Sequence, residues 1–228
     1  MKGILYGVGV GPGDPELITL KTARLIRECD VIAVPHKEKE KCFALRIAAG
    51  AVPEIDEKLI LEIDMPMTRD MSARELAYEA CAKKLTAELD AGKTVVFLTL
   101  GDPTVYSTYG YLHERVSALG YDARLVPGVT SFCACAAALG IPLCEDAEEL
   151  HVIPGGRKDP GEVLSYGGSK VFMKGSVPEL IAAANEKGVQ LLGAENCGTE
   201  NEKLYRNKEE IPGGAGYYTV IIAKEDKK

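Results

Sequence analysis

The chain has 228 residues, and 34 acidic against 27 basic side chains give a formal net charge of −7, which disfavours nucleic acid as a partner. The length allows one large domain or two of roughly 100 residues, and a hydrophobic fraction of 46% is ordinary for a globular protein. The sequence has neither the roughly 18 consecutive apolar residues of a membrane span nor a signal-peptide start, so we expect a cytoplasmic protein without membrane contact. The number of cysteines is odd and their spacing is irregular, so we expect free thiols.

The first half of the chain alternates short apolar strands with amphipathic helices. Strands are predicted at residues 4–10, 31–34, 60–63 and 94–99. Helices are predicted from Pro15 to about 28, over 42–49, from a Ser72 and Glu75 capping box to the stop at 91–92, and over 108–119. This alternation is typical of βα units, which place their strands in a mostly parallel sheet.

The second half carries fewer helices for its number of strands. Strands are predicted at residues 123–126, 149–153, 169–173, 190–195 and 217–223, with a small-residue helix over 132–139 and one long helix over 177–187. Since one long helix joins the later strands, we expect a mixed sheet there. The predicted fold class is therefore two α/β domains, residues 1–119 with a mostly parallel sheet and 120–228 with a mixed sheet. Segments 203–210 and 224–228 are interpreted as solvated surface.

Three loops rich in glycine and proline, at residues 9–14, 100–103 and 127–131, each follow a predicted strand. Because ligands of open α/β sheets bind outside the carboxyl ends of strands, these loops predict one site built from converging backbone groups. The first loop fails the dinucleotide pattern G-x-G-x-x-G, since Pro12 or Asp14 falls at the third glycine. Pro12 also lacks an N–H donor and is interpreted as a rigid wall. A nucleotide-dependent oxidoreductase or a plain binding module is therefore a weaker alternative.

The residues of these loops resemble a known family. Segments 9–21, 100–108, 127–131 and 195–200 resemble motifs of the tetrapyrrole methylases, S-adenosylmethionine-dependent methyltransferases of corrin and sirohaem synthesis, and the resemblance runs from Ile4 to about Ala223. Within the family, segment 101–108 is most similar to the methyltransferases that act at C-20 of precorrin-2 or cobalt-factor II. Leu100 and Thr104 depart from the Gly-Gly-Asp-Pro-Phe loop of the uroporphyrinogen methylases.

The resemblance implies a homodimeric two-domain α/β enzyme that binds S-adenosylmethionine between its domains, with the macrocycle in an adjoining trough. It implies methylation of the C-20 meso carbon of precorrin-2 or cobalt-factor II. The alternative is another member of the superfamily, acting on a different precorrin or on a macromolecule such as rRNA. The implied cofactor contacts are Pro12, Leu100, Gly101, Asp102, Val105, Thr130, Ser131, Met173, Cys197 and Thr219. At the position of Cys197, members of the family often have Ala.

Methyl transfer from a sulfonium to a meso carbon requires alignment of the two reactants and an acceptor for the displaced proton. Asp102 and Tyr106 are the catalytic candidates. Because Asp102 lies in the loop itself, charge and hydrogen bonding at the cofactor are favoured over a base role. Tyr106 could hydrogen-bond to the ring or stack on it, or equally pack at the start of a helix.

A substrate with several carboxylates needs a local cationic rim. Loop cations that could supply it are Lys37, Lys39, Lys41, Arg69, Arg157, Lys158 and Lys174. The alternative for segment 36–41, which also contains Glu38 and Glu40, is a solvated charge run. The substrate-contact candidates are His36, Lys37 and Tyr106, and His36 is a conceivable axial contact if the substrate carries cobalt.

A metal site of the protein itself is not expected. Cys133 and Cys135 are two positions apart on a predicted helix, so their side chains diverge by about 200°, and the three histidines are scattered along the chain.

Overall fold

The computed structural model describes residues 2–66, 68, 70–174 and 176–224. Its contacts divide the chain into two compact units, residues 1–130 and 131–228. Arg69, one of the predicted rim cations, lies outside the described residues, as does 225–228 of the predicted surface tail.

The first unit contains a five-stranded sheet in which every pair of neighbours is parallel, in the order β3-β2-β4-β1-β5. Its strands are β1 (Ile4–Gly9), β2 (Val31–Val34), β3 (Leu59–Glu62), β4 (Val95–Thr99) and β5 (Asp122–Val126). Its helices are α1 (Leu20–Glu28), α2 (Phe43–Ala51), α3 (Met71–Asp90) and α4 (Tyr109–Ala118). The expected mostly parallel N-terminal sheet is confirmed.

Helices cover both faces of this sheet because every central strand is apolar on both sides. On one face α1 and α2 pack against Val8, Ile32 and Leu98. On the other face α3 and α4 pack against Leu5 and Phe97. β1 and β4 are neighbours in the sheet, but the helices that follow them, α1 and α4, lie on opposite faces. The carboxyl ends of these two strands therefore form a topological switch point.

Two helix starts differ from the prediction. The segment after Pro15 forms a short 3₁₀ turn over Pro15–Leu17, and α1 begins only at Leu20, where the Thr19 side chain accepts from the N–H of Thr22. The predicted capping box at Ser72 is wrong, because Asp70 caps α3 and accepts from the N–H groups of Ser72 and Ala73. A carboxylate two residues earlier offers a stronger acceptor to these helical donors.

The second unit contains a mixed five-stranded sheet in the order β6-β7-β10-β8-β9. Its elements are α5 (Ser131–Leu139), β6 (Leu150–Pro154), α6 (Pro160–Val163), β7 (Ser169–Met173), α7 (Val177–Lys187), β8 (Gln190–Glu195), β9 (Lys203–Tyr205) and β10 (Thr219–Lys224). β6 and β7 are parallel, whereas β10 is antiparallel to β7 and β8. The expected mixed sheet is confirmed.

Two sequence expectations differ from this arrangement. The division after residue 130 lies beyond the expected boundary at 119, because β5 pairs with β1 and belongs to the first sheet. The interpretation of 203–210 as solvated surface is wrong for β9, which pairs with β8 and buries Tyr205.

The two faces of the second sheet carry different helices. Val177 and Leu180 of α7 pack in one core cluster with Phe172 and Ile221. α5 contacts β8 and β10, and its buried residues do not belong to that cluster, so α5 covers the opposite face. Because side chains alternate along a strand, Thr219 and Ile221 lie on the α7 side, whereas Val220 lies on the α5 side.

Candidate functional site

The three glycine and proline loops meet at the carboxyl ends of β1, β4 and β5. The N–H of Gly11 donates to the carbonyl of Gly101 (3.3 Å), and the N–H of Gly101 donates back to the carbonyl of Gly11 (2.8 Å). The N–H of Gly128 in the third loop donates to Oδ2 of Asp102 in the second (3.0 Å). The convergence predicted from sequence is therefore present within the first unit.

The closeness of the loops depends on glycine. A Cβ atom at Gly9 would lie 2.3 Å from the carbonyl oxygen of Gly101 and 2.7 Å from Cα of Gly128. A Cβ atom at Gly128 would lie 2.3 Å from the same oxygen. Gly101 itself has a φ of +69°, a conformation that glycine adopts without steric cost. Backbone therefore packs directly on backbone at the switch point.

Asp102 fastens the second loop to the third. Its carboxylate is 8% exposed, and Oδ1 accepts from the N–H (2.7 Å) and the hydroxyl (2.5 Å) of Thr104. Oδ2 accepts from the N–H of Gly128. Because both oxygens are engaged within the protein, the structure gives Asp102 a positioning role. Its direct contact with the cofactor and its role as proton acceptor stay predictions.

Tyr106 follows this loop with a φ of +48° and a side chain that is 54% exposed. A left-handed conformation costs a residue with a Cβ atom about 1 to 2 kcal/mol, and such strain concentrates at functional sites. Lys174 after β7 (φ +63°) and Asn196 after β8 (φ +52°) share this conformation. Three strand-end loops thus contain a non-glycine residue with positive φ.

Three buried threonine hydroxyls lack a hydrogen-bond partner among the described residues. They belong to Thr99 at the end of β4, Thr130 in the third loop and Thr219 at the start of β10. A buried hydroxyl without a partner is unfavourable, so these positions fit a ligand that offers hydrogen-bonding atoms. Of the other candidates in the first unit, Pro12 is buried, and Leu100 and Val105 are partly buried.

The candidates of the second unit are distributed over both faces of its sheet. Ser131 is the first residue of α5, and Met173 is the last of β7. Cys197 is buried and hydrogen-bonds to Cys135 of α5, which with burial raises the pKa of the Cys135 thiol. Thr219 lies on the α7 side instead. The side chains of Cys197 and Thr219 therefore face different surroundings.

Glu195, the last residue of β8, is a further candidate that the sequence did not predict. Its carboxylate accepts from the hydroxyl of Tyr205 (2.7 Å) and from the N–H of Gly216 (2.9 Å), in the segment that leads to Thr219. The hydrogen bond from Tyr205 lowers the pKa of Glu195, while burial and this carboxylate raise the pKa of Tyr205 to about 12. The available signal was its place at the end of a strand and at the start of the motif 195–200.

The hydrogen bond to the His36 ring favours the tautomer that has its donor at Nε2. Its Nδ1 accepts from the N–H of Glu38 (3.0 Å), so the proton of the neutral ring lies on Nε2. Axial contact with cobalt through Nε2 would require the other tautomer and would break this hydrogen bond. Lys41 is paired with Glu38 at 2.6 Å and lowers the pKa of that carboxyl, and Lys37 is exposed. This pairing makes Lys41 a weaker rim candidate than Lys37, and the substrate contacts of His36 and Lys37 stay predictions.

All seven cysteines are free, as expected. Cys133 is exposed and Cys135 is buried, so their side chains point in different directions. Within the described residues, no group of three His, Cys, Asp or Glu side chains could hold a metal ion. In the same part of the chain, no helix combines the length and the apolar character that a membrane crossing requires.

A parallel sheet with glycine loops at its switch point places the protein among α/β proteins that bind ligands at strand ends. The sequence model of the family "Tetrapyrrole (Corrin/Porphyrin) Methylases" matches residues 4–212. The chain belongs to this family. The resemblance noted in the loop motifs is thereby confirmed.

Three relatives illustrate the sequence similarity of the chain to known proteins. The chain is 33% identical over 207 residues to "Probable cobalt-precorrin-2 C(20)-methyltransferase" of Methanocaldococcus jannaschii, covering 90% of this chain and 87% of the relative. It is 29% identical to "Precorrin-2 C(20)-methyltransferase" of Sinorhizobium sp, covering 96% and 94%. It is 38% identical over 160 residues to "Cobalamin biosynthesis protein CobIJ" of Mycobacterium bovis, covering 68% of this chain but only 31% of that longer protein.

A solved structure supports the fold. The uroporphyrin-III C-methyl transferase from Thermus thermophilus, solved as a complex with S-adenyl homocysteine, superimposes with a TM-score of 0.70 at 25% identity, covering 98% of both chains. The predicted pair of α/β sheets, one parallel and one mixed, is therefore the fold of the family.

Proposed function

We propose that the protein is an S-adenosylmethionine-dependent C-methyltransferase that methylates the C-20 meso carbon of precorrin-2 or of its cobalt complex in corrin biosynthesis. The observation that carries the proposal is the similarity over 90% and 96% of the chain to two enzymes named for C(20) methylation, one of precorrin-2 and one of cobalt-precorrin-2. The two names differ in cobalt, so both substrates are candidates.

The loop cluster of the first unit fits S-adenosylmethionine. Glycine at positions 9 and 128 lets the three loops pack directly on one another, and the hydroxyls of Thr99 and Thr130 offer buried hydrogen-bonding groups without a partner in the described chain. We propose that this cluster, with Pro12, Leu100, Gly101 and Val105, holds the cofactor. Ser131, Met173, Cys197 and Thr219 stay predicted contacts from the second unit.

When bound, S-adenosylmethionine supplies an electrophilic methyl group on a positively charged sulfur. The contribution of the protein is then mainly alignment, which can supply roughly 7 to 11 kcal/mol of the barrier. Asp102 holds the second and third loops in register through Thr104 and Gly128. The buried carboxylate also places one negative charge within the cluster, which favours a cationic ligand.

The meso carbon exchanges its hydrogen for the methyl group, so one proton leaves the ring. Tyr106 is the more accessible of the two proton-acceptor candidates, because its side chain is 54% exposed whereas Asp102 is 8% exposed. Its backbone adopts the strained left-handed conformation, which concentrates at functional sites. We propose that Tyr106 contacts the macrocycle and that His36 donates from Nε2 to a carboxylate or carbonyl of the substrate, beside Lys37.

The test is one incubation with S-adenosylmethionine labelled with ¹³C in the methyl group, using precorrin-2 with and without cobalt. The expected result is one labelled methyl group at C-20, and the faster substrate decides between the two routes. A label on another carbon supports a different precorrin methylase. Salt-dependent retention of RNA on filters, with no label on either tetrapyrrole, supports the rRNA-modifying alternative.

Homodimerisation and a cytoplasmic location belong to the same proposal. The homodimer is implied by the family resemblance, and the cytoplasmic location is inferred from composition. Sedimentation equilibrium of the purified chain tests the homodimer directly. The expected result is a mass twice the 24.5 kDa of one chain.

A further inference from the structure

Two buried thiols of the second unit contact each other. Cys135 lies on α5 and is 1% exposed, and Cys197 lies in the segment after β8 and is 7% exposed. The thiol of Cys135 hydrogen-bonds to the sulfur of Cys197. The two residues are far apart in the sequence, and the packing of α5 against β8 brings them together.

The partner of the Cys135 thiol is another sulfur, which is not the case for two other buried cysteines. Cys29 donates to the carbonyl of Ile26, and Cys81 donates to the carbonyl of Asp64, each at 3.2 Å. Those thiols are engaged with backbone oxygens. Contact between two sulfurs is the starting geometry from which a disulfide forms, and the pair that contains Cys135 has it.

The two thiols of the pair differ in their readiness to react. The hydrogen bond to Cys197 and burial raise the pKa of the Cys135 thiol, so Cys135 stays the protonated partner and its S–H donates. The thiolate is the reactive form of a cysteine, and a hydrogen bond to a sulfur favours that form. Cys197 accepts the hydrogen bond and is the more exposed of the two. It is therefore the thiol that meets an oxidant, and Cys135 is the thiol that resolves the product.

The pair joins two segments that carry predicted cofactor contacts. α5 begins at Ser131, and Cys197 is itself a predicted contact. Cys197 follows Asn196, whose φ is +52° and whose N–H donates to the carbonyl of Tyr218 (3.1 Å), the residue before Thr219. A change in the position of Cys197 therefore acts on the backbone beside another predicted contact.

We propose that Cys135 and Cys197 form a reversible disulfide in the presence of hydrogen peroxide, and that this disulfide lowers the affinity for the cofactor. The Cys197 thiolate attacks the peroxide, the O–O bond breaks, and Cys197 becomes a sulfenic acid while hydroxide leaves. The sulfur of Cys135 then attacks that of Cys197, the S–S bond forms, and the hydroxyl leaves as water with the proton of Cys135. The thiols lose two electrons, and the peroxide is reduced to two waters once the hydroxide takes up the proton that Cys197 lost.

The effect on the cofactor follows from geometry. A disulfide holds its two sulfurs about 2.05 Å apart, much closer than two sulfurs that share a hydrogen bond, so α5 and the segment after β8 are drawn together. Oxidation also removes the free sulfur at the predicted contact. Coupling between two such events is typically about 5- to 150-fold in affinity. This effect rests on the proposed function, whereas the formation of the disulfide does not.

The test uses the full chain, treated with hydrogen peroxide and analysed by intact mass and peptide mapping. The expected result is a loss of about 2 Da in a peptide that links Cys135 to Cys197, reversed by dithiothreitol. Titration calorimetry is expected to show that S-adenosylhomocysteine binds the oxidised form about 5- to 150-fold more weakly than the reduced form. Linkage to a different cysteine, oxidation without a link, or equal affinity of the two forms would overturn the proposal. Failure of the reduced protein to bind S-adenosylhomocysteine would instead refute the proposed function.

Three variants separate the disulfide from a general effect of oxidation. In Cys135→Ala, Cys197 is expected to proceed to sulfinic acid, and dithiothreitol is expected not to restore the affinity. Cys197→Ala, which places the residue common in the family, is expected to form no link and to keep the same affinity before and after peroxide. Cys133→Ala is the matched control, because Cys133 lies on the same helix but is exposed, and it is expected to behave as wild type. A reversible loss of affinity in Cys135→Ala, or absence of the link in Cys133→Ala, would contradict the assignment.

Discussion

Asp102→Asn tests how the cofactor loops are held together. Asparagine has nearly the same shape as aspartate, but it offers one carbonyl oxygen in place of two carboxylate oxygens. Oδ1 accepts from Thr104 and Oδ2 from the N–H of Gly128, so the variant cannot satisfy both sides. Whichever way the amide turns, its NH₂ group faces an N–H donor.

The expected cost follows from these contacts. A hydrogen bond to a charged group contributes about 1.5 to 3 kcal/mol, and one buried donor is left without an acceptor. We expect a loss of about 2 kcal/mol in the free energy of unfolding. For a chain of this size that corresponds to a fall of about 4 to 8 °C in melting temperature.

Thr104→Val is the matched control. It removes only the hydroxyl that donates to Oδ1, while the backbone N–H of residue 104 still donates to the same oxygen. Its expected cost is about 1 kcal/mol, within the usual range for a single hydrogen bond.

The measurements are thermal unfolding and titration calorimetry with S-adenosylhomocysteine. Asp102→Asn is expected to lower both stability and affinity, because the loops that are proposed to bind the cofactor separate. If the variant unfolds at the wild-type temperature and loses only turnover, the carboxylate acts on the reactants, and its role in fastening the loops is refuted.

Three further predictions concern other parts of the protein. Gly9→Ala is expected to lower the free energy of unfolding by at least the roughly 1 to 3 kcal/mol of an overpacked core and to abolish cofactor binding. Gly110→Ala in α4, where a Cβ atom meets nothing within 4 Å, is the control and is expected to raise the free energy of unfolding by about 0.5 to 1 kcal/mol; comparable losses in both variants would contradict the steric explanation. The hydrogen bond from Tyr205 lowers the pKa of Glu195, so its ionised form stabilises the fold above the ordinary value of 4.5, and this stabilisation is lost as the pH falls through the lowered pKa. Glu195→Gln is therefore expected to melt below wild type at about pH 7 and to converge with it as the pH falls through the lowered pKa of Glu195; a constant difference would show that ionisation is irrelevant. His36→Phe is expected to raise the KM for the substrate more than it lowers kcat. The effect is expected to be equal for the cobalt and the metal-free substrate, because the Nε2–H of His36 donates a hydrogen bond to the macrocycle in either case. A loss confined to the cobalt substrate would indicate that His36 binds the metal.

The fold was largely predictable because its elements have clear periodicity. β7, α7 and β8 have the predicted bounds, since each is a continuous apolar or amphipathic run between turn residues. β9 was missed because a three-residue edge strand with a lysine resembles surface sequence, and only its pairing with β8 buries Tyr205. Which residue caps a helix depends on local backbone geometry, and residue spacing in the sequence does not determine it. This is why Asp70, and not the predicted Ser72, is the N-cap of α3.

The candidate site was predictable at the level of loops but not of side-chain partners. Glycine and proline after β1, β4 and β5 indicated the convergence, because parallel strands end at the same edge of a sheet. The motif does not predict that both carboxylate oxygens of Asp102 accept hydrogen bonds from Thr104 and Gly128. The position of Gly128 beside Asp102 depends on the order of the strands in the sheet. The link from Glu195 to Gly216 joins residues 21 positions apart through the fold.

The most direct measurement is a crystal structure of the protein with S-adenosylhomocysteine bound. The ligand is expected within hydrogen-bonding distance, about 3.2 Å, of backbone groups in the loops after β1 and β4, with Thr99 or Thr130 donating to it. A ligand bound elsewhere, with these loops and both hydroxyls unchanged and without contact to it, would contradict the proposal that the switch point of the first unit holds the methyl donor.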